Sequence, residues 1–124
     1  MVRRRVVAAG VAVLAAACGS SGTSPSPPVA GSTITITSSG VVSPKNLLVS
    51  PGTQVTFINS DSRNHLMNSD PHPDHTDCPA INSVGALAPG QSKQTGNLNV
   101  VRTCGYHDHD LFSNTSLQGT ITIQ

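Results

Sequence analysis

Short runs of alternating apolar and polar residues, separated by turn residues, limit the fold of this chain more than any other feature. Residues 32–38 place Ile34 and Ile36 on one face and threonines on the other, and residues 53–59 and 117–124 repeat the pattern. A strand that is buried on one face alternates in this way. The chain contains no Glu and no Trp and is rich in Thr, Ser, Val and Gly, a composition that favours strands and turns over helices.

The runs together predict a single all-β domain. Seven or eight short strands are expected, and Pro51-Gly52 and Pro89-Gly90 mark turns between them. Residues 70–83 contain three prolines and many polar groups, and are predicted to form a loop. Strands at this spacing in a chain of 124 residues predict a β-sandwich or a barrel.

The N-terminal residues differ from the rest of the chain. Residues 1–17 have a cluster of three arginines and then an apolar stretch too short to span a bilayer, which predicts an export signal. Small residues before Cys18 and a Gly/Ser run after it resemble a bacterial lipoprotein signal, in which the cysteine becomes the lipidated first residue of the mature protein. An ordinary cleaved signal with an incidental cysteine is the alternative. Residues 18–31 are predicted to be a flexible tether, and residues 32–124 the folded domain.

These features predict an exported protein of the cell envelope, in the periplasm or on the outer cell surface, held to the membrane through its N-terminal lipid. Beyond the signal, four Lys and Arg residues stand against six Asp residues. A mildly acidic surface of this kind does not favour phosphate binding, so we expect no nucleic-acid partner.

All five histidines lie between His65 and His109, which is an uneven distribution for surface residues. The segment 103–109 brings Cys104, His107 and His109 together within six residues. Thiolate and imidazole are the ligands that soft transition metals prefer. The sequence therefore predicts a metal site that joins this segment to an upstream histidine.

The ordered motifs resemble those of the plastocyanin-type cupredoxins. The resemblance rests on residues 43–61, then His65, then Cys104-x-x-His107, then the Gly-x-Ile-x-Ile end. It implies a Greek-key β-sandwich over 32–124 that binds one copper through His65, Cys104 and His107. By the family pattern Cys104 ends a strand and His107 lies on the loop after it, and Gly105 would help that loop to fold back. It also implies one-electron transfer with a redox partner protein. Such a protein is not an enzyme, because the metal carries the chemistry and no catalytic base or nucleophile is needed.

The sequence departs from this family at the axial ligand. The positions at which the family carries a methionine hold Asp110 and Phe112. Met67 and His109 are possible additional ligands, although a methionine is more often core filling. His72 and His75 lie in a proline-flanked loop and form either a second metal site, a lid on the first, or a solvated surface.

Cys78 allows an alternative interpretation of the site. If Cys18 is lipidated, Cys78 and Cys104 are the two remaining cysteines, and in an oxidising compartment they can form a disulfide. Such a bond would contribute roughly 3–4 kcal/mol to stability and would remove the thiolate ligand. The protein would then be a copper-binding or storage module with a histidine-only site, in which the five histidines are the candidate ligands. A small metalloenzyme subunit with an open copper position, and a β-sandwich without metal, are further alternatives.

Overall fold

The structure is a computed structural model that describes Gly19, Gly22 and residues 24–124. The predicted export signal of residues 1–17 and the predicted lipidation site Cys18 lie outside the described residues. Within the described part of the chain, no helix is long and apolar enough to cross a membrane.

The described residues form ten strands in two sheets. In chain order the strands are β1 (Val29–Ala30), β2 (Thr33–Ile36), β3 (Val42–Ser43), β4 (Asn46–Val49), β5 (Thr56–Asn59), β6 (His65–Ser69), β7 (Gly85–Leu87), β8 (Ser92–Gln94), β9 (Arg102–Asp108) and β10 (Gly119–Ile123). One sheet has the order β1-β4-β10-β9-β6-β7 and the other β3-β2-β5-β8. Two short 3-10 helices, Pro79–Ser83 and Thr115–Leu117, complete the described elements.

The core lies between the two sheets and is formed by the apolar face of each alternating strand. Ile34 and Phe57 enter it from the four-stranded sheet, and Tyr106 and Ile121 from the six-stranded sheet; all four are fully buried. The rings of Phe57 and Tyr106 meet edge to face, with centroids 5.3 Å apart. Contacts of this geometry add about 0.5–1.5 kcal/mol beyond the burial of area. The predicted all-β sandwich is confirmed, with ten strands in place of seven or eight.

Strand β9 is longer than the sequence predicted, and its length decides where the histidines lie. The strand was expected to end at Cys104 and to leave His107 in a loop, but it continues to Asp108 because β6 pairs with it, Met67 opposite Asp108. The His109 N–H donates to the Leu66 carbonyl and prolongs this pairing. Side chains alternate along a strand, so Tyr106 and Asp108 face the core while His107 and His109 face outward.

A short strand lies just before residue 32, where the folded domain is predicted to begin. Val29–Ala30, within the range expected to be tether, forms β1 and pairs in parallel with β4. The Asn46 side-chain amide donates to the Ser26 carbonyl and extends this attachment. The edge of β4 offers free backbone groups, and an adjacent chain can satisfy them even when its side chains are small.

Candidate metal centre

Four histidines meet on the outer face of the six-stranded sheet. His107 lies in β9 and His109 directly follows that strand, and His72 and His75 lie in the loop that follows β6. Each offers one ring nitrogen, and the four nitrogens all lie within 4.8 Å of one another. His107 is buried and the other three are half-buried. The arrangement can hold a single metal ion.

The loop lies flat on β9 because several contacts tie it down. The Asp70 N–H donates to the Gly105 carbonyl at 3.0 Å, and the Gly105 N–H donates to Asp77 Oδ2 at 3.1 Å. Arg102 forms an ion pair with the same Asp77. A Cβ on Gly105 would collide with the Asp70 carboxylate, so the absence of a side chain there admits the loop.

Two of the imidazoles are oriented through their second ring nitrogen. His107 Nδ1 lies 2.5 Å from Asp70 Oδ1, and His75 Nδ1 lies 2.8 Å from the Ser69 carbonyl oxygen. An oxygen at Nδ1 requires the proton to be there, which leaves the Nε2 lone pair to accept a hydrogen bond or to bind a metal. Histidines that bind metals are held in this way by a carboxylate or a backbone carbonyl.

The backbone at His75 is in the left-handed region, with φ of 54°. Non-glycine residues adopt this conformation infrequently, and histidine is among those that do so more often. Holding the His75 backbone in this conformation costs free energy, which the contacts of the surrounding residues offset.

Two nitrogens in the cluster lack a partner among the described residues. His72 Nδ1 and His107 Nε2 are buried and make no hydrogen bond. A buried polar atom without a partner costs about 1–3 kcal/mol, so both atoms favour a ligand. His75 Nε2 and His109 Nδ1 are 2.8 Å apart. Two ligand nitrogens that are each about 2.0 Å from the same ion, with an N–metal–N angle of about 90°, would have about this separation. The residues therefore fit a metal held by imidazole alone.

The environment of His72 favours its neutral, metal-binding form. Burial lowers the pKa of His72 below its ordinary value, and the neighbouring His109, His107 and His75 lower it further. The Phe112 ring stacks on the His72 ring with centroids 4.1 Å apart and planes 6° from parallel. Half of the Phe112 surface is exposed, so its ring forms part of the rim of the cluster.

His65 lies elsewhere, inside the sandwich. Its Nδ1 is 2.6 Å from Asp108 Oδ2 and its Nε2 is 3.0 Å from Asp61 Oδ2. The hydrogen bond from His65 outweighs the opposing effect of burial and, helped by Arg63, lowers the pKa of Asp61 to about 2. Both ring nitrogens of His65 face a carboxylate oxygen, so neither is left for a metal.

The two cysteines of the domain form a disulfide between Cys78 and Cys104, with Cα atoms 5.8 Å apart. Cys104 is fully buried and Cys78 is 7% exposed. A disulfide sulfur carries no thiolate charge, so in this structure Cys104 does not offer the thiolate of a blue-copper site.

The architecture has clear counterparts among solved structures. It is similar to a purple cupredoxin from Nitrosopumilus maritimus, with a TM-score of 0.58 and 21% identity over 76% of this chain and 100% of that one. Oxidised plastocyanin from Dryopteris crassirhizoma gives 0.57 and 17% over 74% and 99%, and a reduced Cu(I) form of an amicyanin mutant gives 0.54 and 14% over 82% and 87%. This is the cupredoxin fold. No protein-family model and no curated protein matches the chain.

On this cupredoxin fold, the ligand set implied by the family resemblance is not brought together. His65 is held by two carboxylates, Cys104 is bonded to Cys78, and only His107 of the three belongs to the cluster. Met67 is fully buried in the core. The three histidines named as additional candidates, His72, His75 and His109, are the ones that join His107.

Sequence reasoning missed the groups that orient the cluster. Asp70 and the Ser69 carbonyl each fix one imidazole, and Phe112 stacks on a third. Gly105 was expected to let a loop fold back, but it lies in a strand and makes room for Asp70. A glycine at an otherwise regular strand position is the signal for such a close approach.

Proposed function

We propose that this protein binds a single copper ion as Cu(II) through His72, His75, His107 and His109, and serves in copper handling. The observation that carries the proposal is the convergence of four imidazole nitrogens, two of them buried without a partner. An all-nitrogen set suits Cu(II), and among divalent first-row ions copper has the highest affinity for a given site. The similarity to cupredoxins, one of them a Cu(I) form of amicyanin, supports copper over zinc or nickel.

The residues of the chain have separate tasks in this function. Asp70 and the Ser69 carbonyl keep Nδ1 protonated on His107 and His75 and so direct the Nε2 lone pairs to the ion. Burial keeps His72 neutral, and a neutral imidazole is the form that binds. The loop and β9 hold the four rings at fixed positions before binding, which reduces the entropy lost when the ion is captured. Bound copper supplies a cation that can be stored, passed on or reduced by one electron.

We also propose that the protein is exported and anchored to a membrane. The signal of residues 1–17 would export it, a lipid on Cys18 would anchor it, and the segment before β1 would hold the domain away from the membrane surface. We propose a binding protein and not an enzyme, because the chemistry needed is capture and release. Its partner would be a protein that exchanges copper or electrons with the site.

A copper titration of the full-length protein tests this function. We expect one equivalent of Cu(II), a pale colour, and an electron paramagnetic resonance spectrum with hyperfine splitting from several nitrogens. His72→Ala and His109→Ala should each weaken binding. Failure to bind copper at one equivalent in the oxidised protein would contradict the proposal.

Electron transfer through a thiolate site is the second candidate, and the cupredoxin fold is the observation that favours it. It requires the disulfide to open and His65 to leave its carboxylates. An intense blue or purple band that is lost in Cys104→Ser would support it. The same titration therefore separates the two candidates.

A further inference from the structure

The disulfide joins the two halves of the histidine cluster. Cys78 ends the loop that carries His72 and His75, and Cys104 lies in β9 shortly before His107. The bond therefore limits the distance between the loop pair and the strand pair of imidazoles. The remaining attachments of the loop to β9 are hydrogen bonds and the Asp77–Arg102 ion pair, which is partly exposed and weakly stabilising.

An open cavity of about 320 Å³ reaches Cys78, and none of the described histidines lines it. Its lining includes Cys78, Ala80, Leu98 and Arg102, but Cys104 does not line it. Cys104 is fully buried, whereas Cys78 is 7% exposed. A reagent that enters the cavity therefore contacts Cys78 and not its partner Cys104.

We propose that this cavity admits a dithiol that opens the Cys78–Cys104 bond, and that opening the bond lowers the affinity of the histidine cluster for its metal. This inference rests on the proposed metal site and adds its regulation. The cavity and the disulfide together define a thiol-exchange site next to the metal centre. A reducing dithiol would in this way release the ion from the protein.

The thiol–disulfide exchange takes place in two steps. A thiolate of the dithiol attacks Cys78 Sγ and forms a mixed disulfide, while the Cys78–Cys104 bond breaks and Cys104 leaves as a thiolate that takes up a proton. The second thiolate of the dithiol then attacks the mixed disulfide and forms the dithiol's own disulfide. Cys78 leaves and is protonated. The protein gains two electrons and two protons, and the dithiol loses them.

Opening the bond affects the metal because it removes the covalent link between the ligand-bearing loop and β9. The loop then samples conformations in which the four nitrogens do not converge, and binding must select the convergent one. Removal of groups that orient metal ligands weakens binding about tenfold to a hundredfold, and we expect a loss in this range. Thermodynamic linkage requires the reverse effect as well: a bound metal makes the disulfide harder to reduce by the same factor.

Nickel affinity tests the coupling without redox chemistry at the metal. The full-length protein is titrated calorimetrically with Ni(II) in the oxidised form, after reduction by a phosphine and desalting, and as the Cys78→Ser/Cys104→Ser variant. We expect the second and third samples to bind about tenfold to a hundredfold more weakly, with the circular dichroism of the sheets retained. Equal or tighter binding in the reduced protein would overturn the coupling. If the oxidised protein itself binds neither Ni(II) nor Cu(II), the proposed function fails instead.

Reduction kinetics test the cavity independently of any metal and of the folding of the double variant. Thiol release by dithiothreitol is followed in the wild type, in Asn97→Trp, which places a large ring at the cavity lining, and in Ser38→Trp, an exposed site in another turn. We expect Asn97→Trp to slow the reaction at least about tenfold, since access controls the rate of exchange. Ser38→Trp should leave it unchanged. The same rate in all three proteins would show that the dithiol does not use this cavity.

Discussion

His65 and His107 lie on neighbouring strands of one sheet but on its opposite faces. His65 in β6 faces the core, where Asp61 and Asp108 occupy both of its ring nitrogens. His107 in β9 faces outward, where Asp70 occupies only one of its nitrogens and the other has no partner among the described residues. The first ring is bound on both sides, and the second is left with a lone pair to donate.

The difference shows that the partners of a histidine decide its role more than its place in a motif. Each ring nitrogen of His65 lies within hydrogen-bonding distance of a carboxylate oxygen, so neither nitrogen directs a lone pair to an open site. His65 therefore links two carboxylates inside the fold. In the outer cluster the acceptor at one nitrogen keeps the other free, which is the arrangement that metal binding needs.

The largest effect should come from removing the buried ring. In His65→Ala the carboxylate of Asp108, which is 1% exposed, remains in the core without its partner. Breaking a buried ion pair by deleting one member destabilises a protein by about 3–5 kcal/mol. Chemical denaturation should report this loss, while the copper stoichiometry of the folded fraction stays at one. If copper binding were lost together with a stable fold, the assignment of His65 to the core would be wrong.

The opposite result is expected for the outer ring. His107→Ala should weaken copper binding more than about a hundredfold, which exceeds the usual effect of removing a group that only orients a ligand. The stability of the copper-free protein should fall less than in His65→Ala, because an unpartnered buried nitrogen is removed with the ring and water can replace it at the half-exposed Asp70 carboxylate. Competition with a chelator of known affinity measures the first quantity, and denaturation measures the second. An unchanged affinity would exclude His107 from the site.

Asp70 should show an intermediate effect on binding alone. In Asp70→Asn the amide oxygen can still accept from His107 Nδ1, but the negative charge that increases the basicity of the ring is gone. We expect copper affinity to fall about tenfold. Asp74→Asn, an exposed change in the same loop, is the matched control and should have a smaller effect. Equal losses in the two variants would mean that only the net charge of the loop matters.

The Asp61 carboxylate beside His65 should give the fold a distinct acid limit. The pKa of Asp61 is lowered from 3.8 to about 2, chiefly by its hydrogen bond with His65. A carboxyl group whose pKa is lower in the folded state stabilises the fold above its unfolded pKa, and this contribution is lost as pH falls through the folded pKa. Denaturation midpoints should therefore decrease between about pH 4 and pH 2 in the wild type. Asp61→Asn should flatten this part of the profile, and Asp110→Asn, an exposed control, should not.

The runs of alternating apolar and polar residues were sufficient to predict the sandwich, because alternate side chains of a strand point to opposite faces and the apolar ones enter the core. Ile34, Phe57 and Ile121 lie where the alternation puts them. The length of β9 could not be predicted in the same way, since it depends on pairing with β6. That pairing turns His107 and His109 to one side and Cys104 to the other.

The hydrogen-bond partners of the histidines could not be predicted from the sequence for a related reason. Asp61 is four residues from His65, but Asp108 is 43 residues away and reaches it only through the β6–β9 pairing. The sequence left the choice between a thiolate at Cys104 and a bond to Cys78 open. It was decided in the structure by the position of the loop, which brings the Cα atoms of the two cysteines to 5.8 Å, within the range for a disulfide.

The smallest effect should come from the aromatic ring at the rim of the outer cluster. Phe112 stacks on His72 and limits the rotation of its ring. Stacked aromatic pairs contribute about 0.5–1.5 kcal/mol, so Phe112→Ala should weaken copper binding roughly twofold to tenfold. Leu111→Ala, an exposed apolar neighbour in the same turn, is the control and should leave the affinity unchanged. His65 needs no such support because two carboxylates hold it. A loss of copper affinity in Phe112→Ala, with none in Leu111→Ala, would show that rotation of the His72 ring limits binding at the outer cluster.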